Sequence, residues 1–470
     1  MKKALLVNPP TGRYFRSERC QTLLDTHVAD SPRPPMDLAL IAAVLEGAGW
    51  SCTIRDYPME NLSWADVKRE LSLFRPDLLL ISTTTPTIID DLALCAMAKE
   101  LNPAVLTVAK GAHFYEYDAE ILHRFVALDI AVRGEAEVTI GEIAAGRDLR
   151  LVNGISFRRD HEVVRTPERA FIEDLDSLPL PARHLVNNNL YRTPDTDKPI
   201  AFITTARGCP GRCVFCLAGR IGGRAIRFRS VASVLLEVED CIRRFGITEF
   251  YFTADTFTWD RAWVVSFCRE IVDRKLALRW GTNSRVDTID DERLAWMKKA
   301  GCYVLGFGAE SASQEMLTKM EKGVTVAQIG QAVALCERHR IKSFLHLMIG
   351  LPWETRETIE ATIRFVERTR AAFVDVAIAY PLPGTQYYEF AKREGLFREE
   401  DLPGHDHTAA MVRTFTLTTQ ELRAARKRIL RAFYLRPSYL LRALAELRSP
   451  RVAIRYFRHG ALLLRNLVRT

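Results

Sequence analysis

The chain has 470 residues, of which 48% are hydrophobic and 26% are charged, with 25 Gly and 21 Pro. This is the composition of a folded globular protein, and it excludes collagen-like, low-complexity and largely disordered chains. The net charge of +8 is concentrated at one end. Residues 413–470 contain fourteen Arg and Lys against two Glu, a net charge of +12, so the remaining residues together carry −4. The basic character therefore belongs to a C-terminal tail.

The first residues and the cysteine content predict a cytoplasmic protein. Only residues 4–7 are apolar between Lys3 and Asn8, fewer than the apolar core of a secretory signal requires. The sequence contains no run of about 18 apolar residues that would predict a membrane-spanning helix. Ten Cys in such a chain favour metal binding or catalysis over a disulfide framework.

Residues 1–147 alternate short β-branched runs with segments whose apolar residues recur at helical spacing. Helices are predicted over 36–48 and 88–101, and strands over 4–7, 52–55, 78–82, 105–109 and 130–132. This alternation predicts an α/β fold with a parallel, doubly wound, flavodoxin-like (Rossmann-like) sheet. Ligands of such sheets bind beyond the carboxyl ends of the strands, so residues 8–35, 83–87 and 110–114 are expected at one rim.

A different pattern begins at residue 148. Residues 148–198 are predicted as a linker, with a hairpin over 155–164 and an extended Pro-rich passage over 178–183. Strand–helix alternation resumes over 199–395, with strands predicted over 201–205, 250–253, 278–281, 303–308, 344–350 and 374–380. Six βα units predict a partial (β/α)6 barrel whose chemistry lies at the carboxyl ends of its strands. Residues 396–470 are predicted as a basic helical C-terminal region.

Three cysteines stand at the start of the predicted barrel. Cys209, Cys213 and Cys216 follow its first strand in CxxxCxxC spacing, so three thiols on one short loop can face one metal centre. Soft sulfur ligands favour zinc or an iron–sulfur cluster. A zinc site would need a fourth ligand nearby, and the next Cys or His is Cys241, inside a predicted helix. Three ligands with one open coordination position fit a 4Fe–4S cluster, and a zinc knuckle or a chance triplet is the alternative.

The CxxxCxxC motif, with Phe215 before the last cysteine and the βα units after it, resembles that of the radical S-adenosylmethionine (SAM) enzymes. In that family a 4Fe–4S cluster reduces SAM, and the resulting 5′-deoxyadenosyl radical abstracts hydrogen from an unactivated carbon. The resemblance implies that Cys209, Cys213 and Cys216 bind the cluster as metal ligands and catalytic residues. It also implies an electron donor of the flavodoxin or ferredoxin type.

The same resemblance assigns SAM binding to residues at the ends of the barrel strands. Phe215 and Gly350 are expected near the adenine. The candidates for the amino, carboxylate and ribose groups are, in strand order, Asp255, Ser284, Arg285 and Glu310. The acidic and hydroxyl residues among them have an alternative role, because such side chains commonly cap helices at these positions.

A flavodoxin-like domain ahead of such a barrel is similar to the cobalamin-binding domain of the methyltransferase-like radical SAM enzymes. The resemblance implies cobalamin as a further cofactor and places its contacts in the loops after three successive strands. These candidates are Ser82, Thr83, Gly111, His113, Gly134 and Glu135. The alternative is a vestigial domain that only shapes the substrate channel.

Two departures from that family concern the cobalamin site. The Asp-x-His-x-x-Gly loop, which gives cobalt a histidine ligand in other cobalamin proteins, is absent, so histidine ligation is not expected. The loop over 8–35 stands in its place and carries Tyr14, Arg16, Arg19 and His27. Lys110 replaces a Gly where the backbone approaches the cofactor, and its side chain would either clash with the cofactor or pair with its rim.

The basic tail predicts three helices, over 422–434, 439–447 and 452–467, in which Arg is interleaved with apolar residues. Basic amphipathic helices bind anionic membrane surfaces, which would suit an amphiphilic substrate such as a polycyclic hopanoid. Alternatively, the helices pack on the barrel and their Arg stems cover apolar surface. Nucleic acid is not expected as a partner, because no nucleic-acid-binding motif accompanies the charge.

The leading functional prediction is a radical SAM enzyme that methylates an unactivated carbon of a small-molecule or amphiphilic substrate, with cobalamin as the methyl carrier. The second hypothesis is radical deoxygenation, dehydration, ring contraction or rearrangement without methyl transfer, with the first domain empty or its cofactor used differently. The third is a non-catalytic cofactor-binding module. Lumen residues such as His346 and Tyr380 are expected to meet the substrate, whose identity the sequence does not give. Peripheral membrane contact is expected through the tail.

Overall fold

The first sheet of the protein carries helices on both faces. A computed structural model of the chain describes residues 1–16, 21–24, 32–159 and 162–445. The strands of this sheet are β1 (Lys3–Asn8), β2 (Ser51–Asp56), β3 (Leu78–Ser82), β4 (Leu106–Lys110), β5 (Ile130–Val132), β6 (Ile155–Arg159) and β7 (Glu162–Arg165). The helices between them are α1 (Met36–Gly47), α2 (Trp64–Phe74), α3 (Ile88–Leu101), α4 (Phe114–Arg124) and α5 (Ala136–Ala144).

The order of this sheet is β2-β1-β3-β4-β5-β6-β7. Its first five strands are parallel, in the flavodoxin-like order, and β6 and β7 add the expected hairpin in antiparallel pairing. Alternate residues of β1 enter different cores: Ala4 and Leu6 face one, and Leu5 and Val7 the other. The strands are therefore apolar throughout, as a sheet buried on both faces requires. The predicted fold class is confirmed for this unit.

The second sheet is a six-stranded partial barrel. The remaining strands are β8 (Ile200–Thr204), β9 (Ala206–Arg207), β10 (Arg227–Phe228), β11 (Glu249–Thr253), β12 (Arg279–Ser284), β13 (Cys302–Glu310), β14 (Lys342–Ile349) and β15 (Phe373–Ile378). All six barrel strands are parallel in the order β15-β14-β13-β12-β11-β8, so β8 and β15 form its two edges, while β9 and β10 make a small antiparallel pair.

The remaining helices follow the barrel strands. They are α6 (Ala218–Ile221), α7 (Val231–Phe245), α8 (Arg261–Asp273), α9 (Asp291–Lys299), α10 (Gln314–Lys319), α11 (Val326–Arg338), α12 (Arg356–Arg368), α13 (Gln386–Arg393), α14 (Thr419–Tyr434) and α15 (Pro437–Ala445). Of these, α7, α8, α9, α11, α12 and α14 bury apolar side chains in the barrel core. Side-chain caps begin several of them. Thr325, Thr355 and Thr418 each form a capping box with the residue three positions later, which fixes where α11, α12 and α14 start.

The segment between the two sheets is held on both sides. It contains short 3-10 turns at Leu175–Ser177, Arg183–Leu185 and Asn188–Leu190. The buried Arg183 pairs with Glu237 of α7 at 2.8 Å, and Tyr191 donates a hydrogen bond to Asp56 of β2 at 2.7 Å. This predicted linker therefore joins the two α/β units by specific polar contacts.

The described part of the basic tail belongs to the barrel. Leu422, Ile429 and Phe433 of α14 are buried in the barrel core. Arg426 donates to the Val376 carbonyl at 2.7 Å, and Arg436 to the Val366 carbonyl at 2.7 Å. Packing on the barrel, one of the two interpretations of the tail, therefore holds for α14. The third predicted helix, over 452–467, lies outside the described residues. Within the described ranges, every helix is too short or too polar to span a bilayer.

Candidate active site

The cluster loop, residues 208–217, lies between β9 and α6 and is anchored at both ends. The Gly208 amide donates to Oδ2 of Asp255 at 3.0 Å, and the Val214 amide donates to the Met320 carbonyl at 3.1 Å. Asp255 stands directly beyond β11, so the loop is tied to the carboxyl end of a barrel strand. The structure therefore gives Asp255 a role in positioning the three cysteines.

Two of the three cysteines, Cys209 and Cys213, flank Gly211, and Cys216 lies at the cavity wall. Cys209 and Cys213 are partly buried, and Cys216 is exposed. A Cβ atom on Gly211 would lie 3.3 Å from Cys209 Sγ and 3.8 Å from Cys213 Sγ, so glycine keeps the space between these sulfurs clear. Among the described residues, no three His, Cys, Asp or Glu side chains are grouped closely enough for one metal ion. Three thiols around a wider space fit a 4Fe–4S cluster, whose iron atoms accept soft ligands.

Two cations stand next to the thiols. Arg285 donates to the Lys322 carbonyl at 3.1 Å, and the Lys322 ammonium pairs with Oε1 of Glu310 at 2.8 Å. Burial opposes the charge of Lys322, but Glu310 and Cys213 outweigh it, so the pKa of Lys322 is raised. Burial also raises the pKa of the Cys213 thiol to about 11, although Lys322 acts in the opposite direction. Each of the two cations also has a carboxylate partner, Glu310 for Lys322 and Asp287 for Arg285, so the thiols lie beside two ion pairs.

A cavity of about 1390 Å³ connects the two sheets. Lys110, Gly134 and Glu135 border it on the side of the first sheet. Phe215 and Cys216 of the cluster loop border it on the side of the barrel, and from there the cavity continues into the barrel lumen. Both parallel sheets present the carboxyl ends of their strands to this space, which is where α/β proteins bind ligands.

The SAM-binding candidates divide into two groups by their position. Phe215 and Glu310 line the cavity, whereas the walls do not include Asp255, Ser284, Arg285 or Gly350. The Ser284 hydroxyl accepts a hydrogen bond from the Thr258 amide at 3.2 Å, away from the cavity. The Gly350 amide donates to Glu354 at 3.3 Å. A direct ribose contact for Ser284 and an adenine contact for Gly350 therefore find no support in the cavity wall.

Two residues that the sequence prediction missed belong to the site. Asn283 lines the cavity next to Ser284, because successive residues of a strand face opposite sides. Its Oδ1 accepts a hydrogen bond from the Tyr251 hydroxyl at 2.6 Å. Lys322 is the other, and the only signal for it in the sequence is a Lys-Gly pair after a short helix. The register of β12 would have identified Asn283, but Lys322 reaches the site only through the folded turn.

The cobalamin-binding candidates of the first sheet also fall into two groups, those that line the cavity and those that do not. Gly134 and Glu135 line the cavity, whereas Ser82, Thr83, Gly111 and His113 do not. The Thr83 hydroxyl donates to the Lys110 carbonyl at 2.9 Å. His113 is buried, which lowers its pKa to about 4, and its ring stacks on Tyr117 with 4.9 Å between centroids. These four residues support the rim of the first sheet without bordering the cavity.

Glu135 joins that rim to the barrel. Its Oε1 lies 3.1 Å from Arg207 of β9 and 2.8 Å from Arg227 of β10. Burial would raise the pKa of Glu135, but the two arginines outweigh this effect, so the pKa is lowered. The carboxylate therefore fixes the first domain against the strands that flank the cluster loop.

The loop over 8–35 contributes charged groups that the structure describes in part. Arg16 and Asp91 form a buried ion pair at 3.0 Å, and Arg16 also donates to the Ser82 carbonyl at 2.8 Å. Lys110 pairs with Asp37 at 2.8 Å, so its side chain is directed to the start of α1. Tyr14 and Arg16 line the cavity, and Arg19 and His27 lie outside the described residues. In the described lining, both histidines, His346 and His407, come from the barrel side.

Two family models match the chain in the order of its two sheets. Residues 24–144 match the B12 binding domain. Residues 203–366 match the Radical SAM superfamily. The cysteine motif lies within the second match, and the cavity lies between the two matched regions.

Two curated relatives are similar over most of the chain. An uncharacterized methyltransferase of Pyrococcus horikoshii is 29% identical over 448 residues, which cover 94% of this chain and 95% of the relative. The anaerobic magnesium-protoporphyrin IX monomethyl ester cyclase of Rubrivivax gelatinosus is 30% identical over 367 residues, which cover 76% of this chain and 66% of the relative.

Solved structures share the fold. The cobalamin-dependent SAM radical enzyme OxsB has a TM-score of 0.73 at 16% identity, covering 99% of this chain and 72% of its own. The radical SAM methyltransferase TsrM of Kitasatospora setae has a TM-score of 0.67 at 21% identity, covering 85% of this chain and 77% of its own. At these identities the likeness concerns the fold alone, and it spans both sheets.

The fold and the site together define a radical SAM enzyme. The chain belongs to the methyltransferase-like radical SAM enzymes that carry a cobalamin-binding domain. Its cofactors are a 4Fe–4S cluster, SAM and cobalamin. The predictions of fold class, family, enzyme class and cofactors are confirmed, and cobalamin-dependent methylation is favoured over the hypothesis without methyl transfer. A small molecule fits as its substrate class.

Proposed function

We propose that the enzyme transfers a methyl group to an unactivated carbon of a substrate held in the barrel lumen. One observation carries the proposal: a single cavity is bordered by the cluster loop, at Phe215 and Cys216, and by the first domain, at Gly134 and Glu135. A substrate carbon in this space is within reach of both cofactor sites. Methyl transfer to a carbon radical requires that common space, because the radical must meet the methyl donor before solvent.

The cysteines and cations supply the barrel half of the site. When bound, the cluster supplies the electron that cleaves SAM into methionine and a 5′-deoxyadenosyl radical, and cobalamin carries the methyl group. Cys209, Cys213 and Cys216 would hold the cluster, and three protein ligands would leave SAM a place to bind it. We assign Lys322 to charge stabilisation of the SAM carboxylate, because its ammonium group stands beside Cys213 and pairs with Glu310 at the cavity wall. Arg285 is held by Asp287 next to the thiols, and we assign it to positioning the loop. Asp255 keeps the loop in place through the Gly208 amide.

The first domain supplies the opposite rim of the cavity. Gly134 gives close access to the cavity, with no neighbouring atom within 4 Å of an added Cβ. Lys110 pairs with Asp37 and both line the cavity, so this ion pair is a charged part of the rim. We assign these positions to contacts with the corrin edge.

The remaining partners follow from the chemistry of the site. Reduction of the cluster needs a one-electron donor of the flavodoxin or ferredoxin type. We further propose that residues beyond α15, with their excess of Arg, contact an anionic membrane surface. Arg423, Arg426 and Arg436 are not part of this surface, because their side chains donate to carbonyls of the barrel and its loops.

An anaerobic assay tests the proposed reaction. The full chain is reconstituted with iron and sulfide, supplied with hydroxocobalamin and reduced, and its visible spectrum and SAM products are recorded. The expected products are 5′-deoxyadenosine and S-adenosylhomocysteine together with a protein-bound corrinoid. Formation of 5′-deoxyadenosine alone, with no corrinoid bound, would contradict methyl transfer.

Paired cysteine variants control this assay. Cys213→Ala is expected to abolish 5′-deoxyadenosine formation, because it removes a thiol that borders the cluster space. Cys241→Ala changes a fully buried thiol in α7 and is expected to retain cluster absorbance and product. Equal loss in both variants would show a general folding defect.

A further inference from the structure

The lumen of the barrel is open along its whole length. Side chains of β15 alternate, so Phe373, Asp375 and Ala377 line the cavity. Tyr303 and Lys342, at the amino ends of β13 and β14, line the same cavity as Cys216 at the opposite end. In closed βα barrels the inward side chains normally fill this space in packed layers. Here the lumen is a channel from the cluster loop to the base, where the base denotes the amino ends of the strands.

The channel reaches the surface at the base. Its lining there includes Leu435 and Leu440, on either side of the turn between α14 and α15. These side chains are 47% and 46% exposed, so the channel ends at an apolar mouth. Asp195 and Lys342 form the polar part of the same rim. We call this opening, framed by these four residues, the base mouth.

Polar groups of the channel are concentrated near the cluster. Asn283, His346, Asp375 and His407 line the catalytic half, and His346 pairs in register with Asp375. His407 is buried, and its Nε2 has no hydrogen-bond partner among the described residues. Burial lowers the pKa of His407 to about 4 despite the nearby Asp406 and Asp375, so its imidazole is neutral and accepts or donates a hydrogen bond.

The half of the channel toward the base has mainly aromatic and aliphatic walls, with the charged side chains of Asp195 and Lys342 at its rim. Phe344 and Phe373 stack edge to face with 5.8 Å between their ring centroids, and Tyr303 and Val304 line the adjacent strand. The channel therefore changes from hydrogen-bonding walls at the cluster to aromatic and aliphatic walls toward the base mouth. A ligand that matches it has a polar group at one end and an extended apolar chain at the other.

We propose that the substrate is an elongated amphiphile whose polar group lies among His346, Asp375 and His407. Its alkyl or isoprenoid chain runs down the lumen and leaves through the base mouth, beside Leu435 and Leu440. This inference rests on the proposed function for the identity of the site. It adds the substrate class and its direction in the channel: the carbon next to the polar group faces the cluster, and the chain faces the base.

A homologous series of primary alcohols, from octanol to hexadecanol, tests the inference by binding alone. The full chain, loaded with cluster and hydroxocobalamin, is titrated by displacement of a fluorescent polyene fatty alcohol. Each methylene buried in the apolar half is expected to raise the affinity roughly fourfold, until the chain reaches the base mouth. An affinity that does not depend on chain length would overturn the proposal.

The base mouth is tested with two neighbouring leucines of α15. Leu440→Glu puts a charge into the mouth and is expected to weaken hexadecanol binding roughly tenfold or more, with octanol unaffected. Leu441→Glu is the matched control, because Leu441 is 67% exposed and does not line the channel. If both variants weaken hexadecanol equally, a passage through the mouth is excluded.

The two proposals fail in different measurements. Loss of corrinoid binding or of S-adenosylhomocysteine overturns methyl transfer, whereas the alcohol series requires neither SAM nor turnover. His407→Ala adds a test at the other end: it is expected to weaken every alcohol by a similar factor, because the polar group is common to the series. A chain-length-dependent effect of His407→Ala would place the chain at the cluster end and reverse the proposed direction.

Discussion

The ammonium group of Lys322 lies 2.8 Å from a carboxylate oxygen of Glu310, in the space above Gly308 and beside Cys213. A Cβ atom on Gly308 would lie 2.5 Å from that oxygen and 2.8 Å from the Lys322 nitrogen, so only glycine leaves room for the pair. Glu310 itself has a φ of 59°, in the left-handed region, at an irregularity in the pairing of β13 with β14. The backbone is thus shaped to bring this ion pair to the cluster loop.

Removal of Lys322 is expected to affect both stability and catalysis. Lys322→Met leaves the carboxylate of Glu310, which is 13% exposed at the cavity wall, without its partner, and should lower the free energy of unfolding by about 1–3 kcal/mol. The double variant with Glu310→Met should recover much of that loss, because no buried charge remains. Denaturant unfolding of the apoprotein measures both effects.

A catalytic role of Lys322 predicts a different result for the double variant. If Lys322 holds the SAM carboxylate, 5′-deoxyadenosine formation in the double variant should stay roughly a hundredfold below that of the single variant Glu310→Met, which shares the loss of Glu310. Lys319→Met is the control, since Lys319 forms an exposed pair with Glu315 and should cost less than about 1 kcal/mol. Recovery of product formation in the double variant would reduce Lys322 to a structural role.

Gly306 provides a second test at the centre of the lumen. A Cβ atom there would overlap Oδ1 of Asn283 and lie 3.0 Å from Nε2 of His346. Gly306→Ala should therefore separate these two side chains and reduce substrate-dependent product formation, while corrinoid and cluster absorbance stay unchanged. Gly330→Ala in α11 is the control, because nothing lies within 4 Å of its Cβ and alanine favours a helix by about 1 kcal/mol.

Glu354 predicts a pH dependence of stability. This carboxyl group is buried between the Gly350 amide and the Thr358 hydroxyl, and burial raises its pKa to about 7. Between the ordinary carboxyl pKa of 4.5 and about 7, the native state binds the proton more strongly than the unfolded state. Its contribution to stability is therefore complete at low pH and is lost as the pH rises through that interval.

Comparison with an amide isolates this contribution. Glu354→Gln keeps the shape of the side chain and cannot ionise, so its stability should not fall over the interval on account of this position. The wild type should lose up to about 3 kcal/mol relative to the variant between pH 5 and pH 8. Chemical denaturation of both apoproteins at several pH values measures the difference, and parallel pH profiles would contradict the raised pKa.

The strands and the cysteine loop could be predicted because they depend on local patterns. The apolar runs of β3 and β5 were predicted with the residue bounds that the structure has, and CxxxCxxC needs only a short loop. It is harder to predict from the sequence which side chains of a strand face the cavity. Asn283 and Ser284 are adjacent, both polar and both at the end of β12, and only the register of the folded sheet decides which of them faces the cavity.

Other features depend on contacts that no local pattern contains. Lys322 reaches the cysteines from a turn beyond α10, and Lys110 pairs at the rim with Asp37, 73 residues earlier in the chain. The role of α14 was open because an Arg-rich amphipathic helix suits a membrane and a protein surface equally well. The apolar face of α14 packs into the barrel core together with side chains of β15. That packing surface exists only in the assembled barrel, so the sequence alone does not show it.

The rim of the first domain gives a last prediction, at Gly111. This residue has a φ of 153°, and a Cβ atom there would lie 2.8 Å from the Thr83 carbonyl oxygen and nearer still to the Thr83 hydroxyl. Gly111→Ala should therefore push apart the loops that follow β3 and β4, and with them the neighbouring Lys110. We expect the affinity for hydroxocobalamin to fall roughly tenfold or more.

Gly146→Ala is the matched control for this change. Gly146 also has a positive φ, of 76°, but nothing lies within 4 Å of its Cβ and it does not border the cavity. Both variants carry the strain of a side chain in the left-handed region, about 1–2 kcal/mol, so they should lose similar stability from this source. Only Gly111→Ala should weaken corrinoid binding, measured by equilibrium dialysis of the full chain, because only there does the new methyl group displace the rim. Equal affinities in the two variants would mean that the corrin does not rest on the loops after β3 and β4.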